Sequence, residues 1–149
     1  MDRSEKAAQN FLAGYNCAQS VAMAFADLVG MEETAVARLA SPFGAGMGRM
    51  REVCGAVSGM LMILGILYGY ESPTDDENKA RLYAEVQDLA EGFRAQVGTI
   101  ICREILDNPS TDPNPSPRTQ AYYAQRPCAR MVMTAARLME DFIRDHPVE

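Results

Sequence analysis

Histidine is almost missing from this chain. Its one example, His146, stands three residues from the last position, so His-based metal sites and Ser-His-Asp triads have nothing to work with. His146 itself is expected to be a solvated helix-end residue. No Cys-x-x-Cys occurs, which removes zinc ribbons, ferredoxin runs and the thioredoxin motif, since each needs two thiolates one tight turn apart. Tryptophan is absent, and no run of five basic residues exists. With 14 Lys plus Arg against 20 Asp plus Glu, a net charge of −6, the chain is a poor match for nucleic acid. The opening residues, MDRSEKAAQNFLAGYN, are charged where a signal peptide is apolar, so a cytoplasmic location is expected.

Long apolar runs are scarce too. The longest, Val53 to Tyr70, is uncharged over eighteen residues, the lower limit of a membrane span. It contains Gly55, Gly59, Gly65 and Gly69 and has no basic anchor at its C-terminal side. A helix apolar all round also describes the centre of a helical bundle, so no membrane contact is expected. Alanine, by contrast, is abundant: its 21 copies equal Val, Ile and Thr together, which leans the chain towards helix.

The 149 residues suit one domain over 1–149, large enough to bury a core without disulfide staples. Apolar periodicity predicts helices over 4–13 with Ser4 as N-cap, 17–29 capped by Asn16, about 32–40, 76–97, 99–106 and 128–146. Between the last two lies DNPSTDPNPSPR, residues 107–118, a surface loop with four prolines. No segment reads as a convincing strand, and no internal repeat is present. The expected fold is all-α, a bundle of six to seven helices around the apolar helix at about 52–69.

Four cysteines remain to be explained. Cys17, Cys54, Cys102 and Cys128 each fall on the apolar side of their helix, where free cysteine can be ordinary core. However, Cys17, Cys54 and Cys128 fall at helix starts, where free N–H groups and the dipole favour a thiolate. Cys102 is expected inside its helix, with little help from a dipole. Arg51, Arg103, Arg126 and Arg130 lie within three residues of a cysteine. On these grounds Cys54, with Arg51 close and Gly55 uncovering its sulfur, is expected to be the most reactive thiol. The four sulfurs are expected to line one pocket, because one bundle has one core for their faces to share.

The glycines before Cys54 admit two readings. Gly44, Gly46 and Gly48 form part of a dinucleotide fingerprint, but no strand precedes them, so that reading fails. With Arg49 and Arg51, they form either a nest of N–H groups for an anion or a cofactor's polar end, or a tight interhelical turn. Gly55 and Gly59, four apart, leave one helix face bare for a close neighbour or a ligand.

The stretch Phe43-Gly44-Ala45-Gly46-Met47-Gly48-Arg49, with Cys54-Gly55-Ala56-Val57-Ser58-Gly59, resembles a known family. This is the redox-active protein family named for a cysteine, a Cys-Gly-Ala-x-x-Gly signature and two later cysteines. Cys17 is then the first thiol, and Cys102 and Cys128 are the last two. The resemblance covers nearly the whole chain and implies a redox-active or cofactor-binding role for these residues. Three functions are therefore open: a thiol redox protein with Cys54 and a resolving cysteine, working with a redox partner protein; a four-thiolate iron–sulfur or zinc site; or a helical interaction protein with core cysteines. The sequence leaves the oligomeric state, a homodimer included, undecided.

Overall fold

The computed structural model describes residues 2–107 and 109–148. Asn108, part of the expected loop, lies outside the described residues. Nine helices are present among those described, six of them of seven residues or more, and the all-α single domain expected from the sequence is what forms. They are α1 Arg3–Leu12, α2 Cys17–Met23, α3 Ala26–Val29, α4 Glu33–Ala40, α5 Gly55–Tyr68, α6 Asp76–Val97, α7 Cys102–Ile105, α8 Gln120–Gln125 and α9 Cys128–Asp145.

Local chemistry accounts for most boundaries. Asn16 caps α2 by a capping box, taking the Gln19 N–H while the Gln19 side chain takes the Asn16 N–H. The first helix starts one residue early, because Asp2 rather than Ser4 caps it and accepts the Glu5 N–H at 2.8 Å. The helix expected over 17–29 breaks in two at Phe25, whose φ of −114° interrupts the ladder before α3. Gly30 and Gly98 close α3 and α6 in left-handed conformations, at φ +70° and +104°. Helix α8 lies between Arg118 and Pro127, where the sequence pattern had suggested no element.

The core forms where α1 lies along α9 and α2 along α5. Phe11, Val21, Phe25, Met60, Leu64, Val132 and Met139 are buried there. Gly59 allows the α2–α5 contact: a Cβ at this position would fall 2.5 Å from the Ala18 carbonyl oxygen, inside any real contact distance. The apolar α5 is only half enclosed, contrary to the expectation of a helix buried on every side. Its first half is covered, but Gly65 and Ile66 emerge, Ile66 at 57% exposure. The reason is that α6 rides on the outside and buries only Leu89 and Phe93. Among the described residues, no helix is long and apolar enough to cross a membrane.

Between Phe43 and Val53 the chain departs from regular structure. Ala45, Gly46, Met47, Gly48 and Arg49 are consecutively left-handed, with φ between +56° and +71°, and Arg51 follows at +63°. Each non-glycine residue in this region costs roughly 1–2 kcal/mol. The stretch is a left-handed turn that reverses the chain between α4 and α5. It is pinned by the Glu52 N–H donating to the Gly46 carbonyl at 2.8 Å.

Candidate functional site: four thiols around one cavity

All four cysteines stand at the start of a helix. Cys17, Cys102 and Cys128 are the first residues of α2, α7 and α9, and Cys54 is the N-cap of α5. This corrects the expectation for Cys102, which opens a single turn instead of lying inside a helix over 99–106. The cause is a short antiparallel pairing, invisible in the sequence pattern. Val53 bridges Ile101, the Cys54 N–H donates to Ile100, and the Cys102 N–H donates to Glu52 at 2.6 Å. That pairing carries Cys102 up beside the N-terminus of α5.

The four cysteines line one cavity of about 60 Å³, as expected. Its wall also includes Phe11, Asn16, Gly46, Arg51, Gly55, Arg118, Tyr122, Arg126 and Met131. Among the described residues, its wall holds three arginines and no carboxylate. All four thiols are free and buried. Among the described residues, no three His, Cys, Asp or Glu are grouped to hold a metal ion.

The thiols differ in their electrostatics. Cys17 and Cys128 lie side by side. This holds the Cys128 thiol below its ordinary value against the cost of burial, with Arg126, Arg118 and Arg51 assisting. The same pairing, together with burial, pushes Cys17 well up. Burial pushes Cys54 up to about 12, outweighing the Ala56 and Val57 N–H groups that face its sulfur. Burial also raises Cys102, although the Arg51 Nη1 lies 3.8 Å from its sulfur. The expected ranking is thus reversed. At Cys128 the neighbouring Cys17 and the three arginines outweigh desolvation, whereas at Cys54 desolvation outweighs the N–H groups of the helix start.

Of the arginines near cysteines in sequence, two reach the cavity and two do not. Arg103 pairs with Glu52 at 2.6 Å on the surface, and Arg130 donates to the Gln96 carbonyl. Arg51 is only 3% exposed, and its Nε donates to the Ser110 carbonyl at 2.9 Å. Its Nη2 is buried without a hydrogen-bond partner among the described residues. An unmade donor of this kind costs about 1–3 kcal/mol, and more when charged.

Arg118 and Tyr122 had no motif to announce them. The Arg118 guanidinium sits 4.7 Å from the Phe11 ring centre and 4.9 Å from that of Tyr122, and donates to the Phe11 and Tyr15 carbonyls. The proline-rich segment leading to it is strapped against the left-handed turn. Arg49 donates to the Asp112 carbonyl and to Ser116 Oγ, the latter at 3.4 Å. The single available hint was the proline density of 109–118, which stiffens a segment that must lie flat.

The glycines proposed for cofactor contact are mostly filled by the protein itself. A Cβ on Gly44 would enter the Asn16 side chain, one on Gly55 would meet Phe43 O and Ala18 N, and one on Gly46 would meet Arg51 Cα and Cys102 Cβ. Gly59 faces Ala18. Gly46 and Gly55 still reach the thiol cavity, whereas Gly44, Gly48 and Arg49 line a neighbouring one of about 240 Å³ under Pro113 and Pro115.

An all-α domain that gathers four helix-start thiols around one cationic cavity is a thiol-centred domain, with no resemblance to a thioredoxin or ferredoxin arrangement. The chain belongs to the family described as "Putative redox-active protein (C_GCAxxG_C_C)", whose model matches residues 15–142. The description writes glycine before cysteine; here the order is Cys54-Gly55-Ala56. No curated protein and no solved structure matches the chain.

Proposed function

We propose that the chain is a thiol redox protein in which Cys128 and Cys17 alternate between dithiol and disulfide. The observation that carries this reading is their side-by-side placement, with Cys128 the one thiol whose surroundings favour the thiolate. In the oxidising direction, the Cys128 thiolate attacks a sulfur of an acceptor disulfide and releases one thiolate of that acceptor. Cys17 then gives up its proton and attacks Cys128, forming the Cys17–Cys128 bond and releasing the second thiolate. Two electrons pass from the pair to the acceptor, which leaves as a dithiol or two thiols. A small disulfide or an exposed disulfide of a partner protein supplies the acceptor, and a reducing cytoplasm returns the pair to the dithiol. The high thiol values of Cys54 and Cys102 leave them as neutral wall residues in this reading.

The test is incubation of the reduced protein with oxidised glutathione, followed by peptide mapping. A Cys17–Cys128 disulfide should appear first, and Cys128→Ser should abolish it. A first disulfide between Cys54 and Cys102, or four thiols that stay free at large disulfide excess, refutes the proposal.

A further inference from the structure

We propose that the four-thiol cavity binds a small free oxyanion, of the size of sulfate or phosphate, with the Arg51 Nη2 as its anchor. This names the ligand class of the site just described and so rests on that reading of it.

Three features point to an anion. The first is the buried, unpartnered Arg51 donor. Its Nη1 faces Cys102, its Nε is engaged by Ser110, and among the described residues its Nη2 has no acceptor, in a wall that also carries Arg118 and Arg126. Buried donors are rarely left unmade, and a charged one still less. The second is the sign of the wall: among the described residues it carries three guanidiniums, from Arg51, Arg118 and Arg126, and no carboxylate. The third is size. About 60 Å³ is several times the roughly 10–15 Å³ that one water needs.

An approach also exists. The neighbouring cavity of about 240 Å³ shares Asn16, Ala45, Arg118 and Tyr122 with the thiol cavity and adds Arg49 at its rim. An anion arriving beneath the proline-rich segment therefore meets Arg49 and Arg118 before it reaches Arg51. Arg51 is itself left-handed, and it packs against Gly46, a position too crowded for any side chain.

The experiment follows iodoacetamide modification of Cys128 in the reduced full-length protein, at fixed pH and ionic strength, with sulfate or phosphate exchanged for chloride. An oxyanion on Arg51 removes positive potential from the Cys128 thiolate and covers it. Modification should slow about tenfold in a saturable manner, the equivalent of one pKa unit. Arg51→Met should lose the protection and Arg51→Lys should keep part of it. Should Arg51→Met fail to fold, the lysine variant and the wild-type titration suffice. Equal protection by chloride, or none by any anion, overturns the inference. Disulfide formation with glutathione in plain chloride is scored separately. A Cys17–Cys128 disulfide without oxyanion protection leaves the redox reading standing alone, and protection without a disulfide leaves the anion site standing alone.

Discussion

The packed face between α2 and α5 and the left-handed turn just above it follow opposite rules. In the packed face every level agrees: a capping box starts α2, alanines and a glycine let the helices meet, and Phe25, Val21 and Met60 fill the interior. In the turn, Ala45, Met47, Arg49 and Arg51 adopt a conformation their side chains disfavour, and a guanidinium is buried with a donor unmade. Natural sequences are locally consistent except where a site demands otherwise. The contrast therefore separates the part of the molecule that supplies stability from the part that consumes it.

Three measurements break or sharpen that contrast. The largest effect belongs to the packed face. Phe25 is fully buried, so Phe25→Ala should lower the unfolding free energy by about 3–5 kcal/mol in urea titration. A loss under about 1 kcal/mol would mean that the core collapses around the hole and is not closely packed there.

Next comes alkaline stability. Cys54 has a folded value of about 12, above its ordinary 9.0. A raised value means that the folded state holds its proton after the unfolded chain has lost it. The contribution is complete below about pH 9 and is lost as pH rises towards 12, at about 1.4 kcal/mol per pH unit. Cys128 runs the other way: its lowered value adds stability above the ordinary thiol range, and that stability is lost as pH falls. Denaturant titrations between pH 8 and 11 should show the alkaline decline, and Cys54→Ala should make it shallower. An unchanged slope in that variant would show that Cys54 is already ionised in the folded protein.

The smallest effect is a pair of like substitutions with opposite signs. Ala135 lies buried within α9, where glycine should cost about 1 kcal/mol. Ala45, at φ +56°, should accept glycine without loss or gain up to about 1 kcal/mol, because strain of similar size is relieved. Equal losses at both positions in thermal or urea unfolding would remove the claim that the turn is strained.

Much of this was legible beforehand, for identifiable reasons. The cap at Asn16, the glycine stop at Gly98, the all-α class and the inward side of each cysteine depend on near neighbours in the chain. The break at Phe25, the emergence of Ile66 and the helix over Gln120–Gln125 were not legible, because each depends on what packs alongside. The glycines at 44, 46 and 48 signalled unusual backbone, and their spacing fits both an anion nest and a turn. At Gly44 and Gly46 the choice required knowing that Asn16, Arg51 and Cys102 fill the space beside them.

By itself, the amino-acid order determined that this is a helical domain with four thiols on buried helix faces, and that three of them begin helices. Those properties follow from periodicity and caps, which act within a few residues. Only the tertiary structure decided which thiol is favoured as a thiolate, that Cys102 joins the other three through the Val53–Ile101 bridge, and that Arg118 reaches back to Phe11 over the cavity. Ionisation depends on the balance between desolvation and charge at one point in space. Of the groups that set it at Cys128, Arg126 is a near neighbour in the chain, whereas Cys17 and Arg51 come from distant stretches.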